Sequence, residues 1–209
     1  MTPLPARRGL LLATPGLILP AAALAQGRIA TPAQTRGPFY PVTLPSDTDA
    51  DLVRLRGAAA EAMGTVTHLS GRITDTAGTP VPGALVEIWQ CDAQGIYRHP
   101  RAPRTERFDP NFQGYGRAMT DAQGAYAFRT LRPVPYPGRT PHIHVQVTRP
   151  GAVLVTQLYV AGEPLNARDG LLNAIRDPRA REAVIIPFTP ADRLEPGALR
   201  AVFDIVLAA

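Results

Sequence analysis

The chain has 209 residues, enough for one domain with an arm, and its 22 basic residues outnumber 17 acidic ones for a net charge of +5. Every basic residue is arginine; these are dispersed and no stripe pairs them with stacking aromatics, which argues against a nucleic-acid partner. A single cysteine and no Gly-X-Y period exclude a disulfide scaffold, a coiled coil and collagen, and 23 scattered prolines argue against a mostly helical fold.

Arg7 and Arg8 precede an apolar run from Gly9 to Leu19, and the stretch closes on Ala23-Leu24-Ala25, a small-residue cleavage signature. As a helix that run spans about 16 Å, too short for a hydrocarbon core about 30 Å thick. Residues 1–25 are therefore read as a signal peptide, with a mature start at Gln26 and a location outside the cytoplasm, in the periplasm. Arg7-Arg8-Gly9-Leu10-Leu11 suits a twin-arginine leader as well as a plain secretory one. Residues 26–64 are rich in Pro, Gly, Thr and Asp without periodicity, and are read as an extended N-terminal arm that packs on the body.

Residues 65–209 read as an all-β domain, a β-sandwich with short helical turns. Strands are predicted over Val66–Thr74, Ala84–Cys91, Ala125–Arg129, His142–Thr148, Leu154–Val160 and Ala201–Leu207, separated by turn signals. Leu171–Arg176 and Arg179–Val184 each suit a helical turn or two. Cys91 lies in an alternating segment and reads as a small core residue.

Several chemistries fall away. The only serines are Ser46 and Ser70, and neither stands in G-x-S-x-G, which argues against a serine hydrolase. Asp47, Asp49 and Asp51 begin like a calcium loop, but Leu52 and Ala58 occupy the positions that need Gly and Glu. Gly114-Tyr115-Gly116 lacks the third glycine of a phosphate loop.

The sharp feature is His142-Ile143-His144, followed by Val145-Gln146-Val147-Thr148. Alternation places His142, His144, Gln146 and Thr148 on one face of a strand and Ile143, Val145 and Val147 on the other. Two imidazoles at that spacing can reach one metal ion, and a pair of exposed or hydrogen-bonded strand histidines is the alternative. No histidine follows His144, as a cupin-like site needs, and His68 and His99 lie far upstream. No carboxylate lies between Asp121 and Glu163 to complete a two-His-one-carboxylate set. Tyrosine surrounds the pair instead: Tyr136 six residues before His142, and Tyr97 at the end of Trp89–Tyr97. A phenol binds metal well only as phenolate, and a hard cation such as Fe(III) deprotonates it. On spacing alone, a four-ligand iron site and ordinary core or turn tyrosines both stand.

The chain resembles the intradiol ring-cleavage dioxygenases, most of all the protocatechuate 3,4-dioxygenase-like branch. The resemblance runs from about Thr35 to Leu207 and is carried by pieces in order. They are Thr35–Pro41, Gly71-Arg72-Ile73, Gly83–Gln90, Gly95–His99, Phe108–Phe112, Gly116–Asp121, Pro135-Tyr136-Pro137, His142-Ile143-His144, Thr156–Tyr159 and Phe203–Leu207. It implies a β-sandwich holding one non-haem Fe(III) per chain, ligated by Tyr97, Tyr136, His142 and His144. It also implies O2-dependent ortho cleavage of a catechol-type diol to a cis,cis-muconate, in aromatic catabolism. Tyr136 would be both ligand and base, Arg139 an electrostatic stabiliser of developing negative charge, and Gln157 a contact on the oxygen side. The implied partners are a small aromatic diol and O2, with homo- and hetero-oligomers both open and no membrane once the leader is gone. The stretch from Tyr136 to His142 is shorter than in the best-known members, and Gly138 stands where some carry a bulky aromatic, so either a more open pocket rim or one closed by another subunit is expected. Gly71–Asp75 with Gly83–Val86 also resembles non-catalytic transthyretin-like modules, which leaves an exported binding sandwich as the alternative. A hydrolytic zinc site lacks a third nitrogen or carboxylate ligand.

Overall fold

The computed structural model describes residues 28–102 and 107–208; the leader reading over residues 1–25 and the Gln26 start lie outside them. Two five-stranded sheets face one another. At the centre of the first is β1 (Val66–Asp75), whose alternating burial sends Leu69 and Ile73 inward. It runs antiparallel to β4 (Ala125–Leu131), with Leu69 opposite Phe128. Along its other edge lie β9 (Leu199–Val202) and then β10 (Ile205–Leu207), both parallel to it. The single final strand expected over Ala201–Leu207 is thus broken. Phe203 is fully buried, and Asp204 Oδ1 accepts the Arg72 backbone N–H at 2.9 Å where a ladder bond would fall. A two-residue β8 (Thr189–Pro190) pairs with β9.

The second sheet has the order β3 (Tyr115–Met119), β2 (Leu85–Trp89), β5 (His142–Arg149), β6 (Ala152–Val160) and β7 (Ile185–Ile186). β3 was not expected, because Gly116 and Arg117 weaken the local strand signal. It forms by pairing along β2, Trp89 opposite Tyr115 and Leu85 opposite Met119. The inward face of this sheet contributes Val86, Ile88, Ile143, Val145 and Leu158, which meet Leu69, Ile73, Phe128 and Phe203 in one apolar core. After β6 come a 3-10 turn (Pro164–Arg168), α1 (Gly170–Asn173) and α2 (Pro178–Glu182); Asp169 and Asp177 cap the two helices. No described helix is long and apolar enough to cross a membrane.

Residues 28–64 form no helix and no laddered strand. Their backbone is satisfied against the body instead: Thr31 N donates to Val206 O at 2.9 Å, Gln34 N to Val155 O at 2.7 Å, and Leu52 N to Arg129 O at 2.8 Å. Leu52 and Val53 are buried in the main core. This segment carries Phe39 and Tyr40 over the outward face of the second sheet.

Candidate metal centre

Cross-strand pairing organises that outward face. Tyr115, Trp89, His144 and Gln157 stand in one row across β3, β2, β5 and β6, with His142 and Tyr159 in the next. The predicted alternation of β5 holds: His142 and His144 face outward, while Ile143 and Val145 enter the core. Both histidines are nonetheless buried: Tyr136 and Tyr159 pack near His142, and Trp89 and Tyr97 near His144. Tyr97 comes from the loop after β2, and Tyr136 from the turn before β5, where Arg139 N donates to Tyr136 O at 2.9 Å.

The four rings close a circuit. Centroids lie 5.5 Å apart for Tyr97–Tyr136, 5.4 Å for Tyr136–His142, 4.9 Å for His142–His144 and 6.2 Å for Tyr97–His144. Their polar atoms are short of protein partners. Tyr97 Oη, His142 Nε2 and both ring nitrogens of His144 are buried with no hydrogen bond. Leaving such atoms unpaired costs roughly 1–3 kcal/mol each, so the cluster requires something to satisfy them. His142 Nδ1 lies 2.6 Å from Thr140 O; with the proton donated there, the Nε2 lone pair is free. His144 has no such bond. Its ring lies parallel to Trp89, centroids 4.9 Å apart and 4° between planes, and presses against Gly37.

Burial pushes the Tyr97 phenol well above its ordinary pKa and pushes the Tyr136 phenol up to a lesser degree, against the pull of Arg139. Burial likewise drives His142 down to about 4 and His144 further below its usual value, so both imidazoles are neutral at pH 7. Neutral imidazoles are ready ligands, and phenols this disfavoured as anions ionise only beside a strong positive charge. The donor set therefore fits a hard, highly charged cation. Among the described residues, no group of three or more His, Cys, Asp or Glu is placed to hold a metal, so a carboxylate-based or three-nitrogen site has no counterpart.

Arg139 and Gln157 join the cluster. Arg139 Nη1 lies 3.5 Å from Tyr136 Oη, and Nη2 donates to Gln157 Oε1 at 2.7 Å. Tyr136 is half-buried and lines two cavities, the larger of which Tyr97, 5% exposed, also lines. One, of about 520 Å3, is bounded by Phe39, Gly95, Arg101 and Pro137. The other, of about 260 Å3, lies beside Gly138, Arg139 and Arg168. A Cβ at Gly138 would meet nothing within 4 Å. His68 and His99 stay apart: His68 bonds Glu195 at 3.0 Å on the first sheet, and His99 Nδ1 accepts the Arg101 N–H at 3.1 Å at the rim.

The sequence reading missed several contributors. Tyr40, Tyr115 and Gln146 all donate to the buried Glu87 carboxylate, at 2.9, 2.6 and 2.6 Å. Arg36 reaches Gln146 and lies over the Tyr40 ring, so this network pins the arm to the face that carries the histidines. Asp169 bonds Arg139 Nε at 2.8 Å. Only Thr35–Pro41, as a motif, pointed toward the arm.

A family model described as Dioxygenase matches residues 35–209. The chain is 39% identical over 168 residues to the protocatechuate 3,4-dioxygenase beta chain of Burkholderia cepacia, covering 76% of this chain and 71% of that one. It is 34% identical over 204 residues to hydroxyquinol 1,2-dioxygenase of Rhodococcus opacus, covering 86% of this chain but 64% of that protein's length. Among solved structures it is similar to the dioxygenase domain of a dioxygenase carbohydrate-binding protein fusion from Streptomyces sp. SirexAA-E. The TM-score is 0.67 and the identity 32%, with 87% of this chain and 99% of that chain covered.

Proposed function

The chain belongs to the intradiol ring-cleavage dioxygenase family, and we propose that it cleaves a catechol-type diol with O2 at one ferric ion held by Tyr97, Tyr136, His142 and His144. What supports this most is the meeting of two phenols and two imidazoles whose buried donor atoms have no protein partner at Tyr97 Oη, His142 Nε2 and His144 Nε2. When bound there, Fe(III) would neutralise the phenolates and the bound diol and make the electron-rich ring reactive toward O2.

The protein's own groups divide the remaining work. Tyr97 is nearly fully buried beneath the stacked Phe39 ring, which suits a ligand that stays in place. Tyr136 borders both cavities, so its Oη is placed to take a proton from a diol hydroxyl. The Arg139 guanidinium beside that oxygen stabilises negative charge as it develops on the substrate. Gln157, fixed by Arg139 and by the Thr35 carbonyl, presents an amide at the same corner. Phe39 stacks on Tyr97 at 4.5 Å and excludes water. The product would be a cis,cis-muconate-type diacid, formed in aromatic catabolism by an exported, periplasmic enzyme; the export proposal rests on residues 1–25.

The test is a visible spectrum of the iron-loaded protein before and after protocatechuate or catechol is added under argon, followed by oxygen-electrode assays. A burgundy band that shifts with the diol, and O2 uptake, are expected. Colourless iron-loaded protein overturns the ligand set. Failure to take up any iron points instead to a transthyretin-like binding module.

A further inference from the structure

Asp169 lies outside every motif that carries the family resemblance, yet its carboxylate is fully buried and all of its bonds are made. Oδ1 accepts the Leu171 and Leu172 N–H groups at 3.0 Å each and caps α1. Capping needs that oxygen alone. Oδ2 accepts Arg139 Nε at 2.8 Å and Thr140 N at 3.0 Å, and both contacts lead into the cluster. With Nε held, Arg139 directs Nη2 to Gln157 and Nη1 toward Tyr136 Oη. With its N–H held, Thr140 offers its carbonyl to His142 Nδ1. One oxygen thus stands behind both the charge beside Tyr136 and the lone pair of His142.

We propose that Asp169 is a positioning residue of this site, setting the Arg139 guanidinium against Tyr136 and, through Thr140, the tautomer and tilt of the His142 ring. Its effect on catalysis rests on the ring-cleavage reading above; its geometric effect does not. An arginine without this carboxylate keeps its charge but loses the bond that selects its rotamer.

Asp169→Asn separates the two duties, because the amide oxygen still caps α1 while the amide nitrogen faces Arg139 as a second donor. The first readout uses metal-free protein: the Arg139 Nε–H resonance in 1H–15N spectra, assigned with Arg139→Ala. It should be protected in the wild type and lost in D169N, with the amide spectrum otherwise retained. The second uses iron-loaded protein: kcat should fall by about 10–100-fold with KM little changed, and D169N should cost less on an Arg139→Ala background than in the wild type, keeping only the part that runs through Thr140 and His142. A protected Arg139 resonance that survives in D169N overturns the proposal, as does one unprotected in the wild type. Full multiplication of the D169N and R139A losses also overturns it. If the wild type consumes no O2 with any diol, the ring-cleavage reading fails and the resonance alone decides the role of Asp169. If D169N does not fold by circular dichroism, Asp169→Glu, which moves the charge by one methylene, is judged by the same two readouts.

Discussion

Gly37→Ala adds one methyl group where the arm touches the site. Gly37 has φ +71°, and a Cβ there would sit 3.2 Å from His144 Cε1. Two costs follow. The left-handed backbone costs a residue with a Cβ about 1–2 kcal/mol, which for a chain of this size is roughly 2–8 °C in Tm. The contact is shorter than ordinary van der Waals separation, so the His144 ring must yield by a few tenths of an ångström. That ring is fully buried and already stacked on Trp89, itself 1% exposed, which leaves it little room. A functional group misplaced by about 1 Å costs roughly 100-fold in rate. A loss of about tenfold in kcat is therefore expected, with a shifted visible band. Gly197→Ala is the control: its φ is +73° and a Cβ there meets nothing within 4 Å. By thermal melting G37A should lose at least as much stability as G197A, and only G37A should lose turnover. Wild-type turnover and spectrum in G37A, or equal impairment of turnover in G197A, would refute the argument that packing alone holds His144.

Tyr136→Phe should retain iron by metal analysis, show a weaker phenolate band and lose about 100- to 10,000-fold in kcat, the usual range for a positioned base; unchanged turnover would remove Tyr136 from that role. Glu195 accepts from Arg129 at 2.9 and 2.6 Å, and Arg129 holds its carboxyl below the ordinary value of 4.5. A carboxylate with a lowered folded-state pKa adds stability above its unfolded value and loses it as pH falls through the folded one. Glu195→Gln should thus cost about 1 kcal/mol in urea melts at pH 7, with the gap closing as pH drops below 4.5, whereas a gap independent of pH would contradict the pairing. Burial pushes the Cys91 thiol up to about 12, so Ellman's reagent should react only after unfolding; rapid reaction of the native protein would place the thiol at an accessible surface.

Local chemistry carried much of the fold. Strict alternation along His142–Thr148 set the imidazoles on one face and Ile143, Val145 and Val147 in the core, because strand periodicity depends only on adjacent residues. Prolines and glycines marked most strand ends for the same reason. Local chemistry did not reveal β3, whose Gly116 and Arg117 become strand only by lying along β2, nor the break at Phe203 and Asp204, which the β1 edge imposes. The candidate site divides likewise. The His pair was legible from spacing, whereas Tyr97 and Tyr136 entered through family resemblance. Gly37, Glu87, Trp89 and Asp169 gained roles only when distant segments met. A ligand sphere is a relation among side chains brought together by one sheet, a loop, a turn and an arm, and no pattern between chain neighbours encodes those distances.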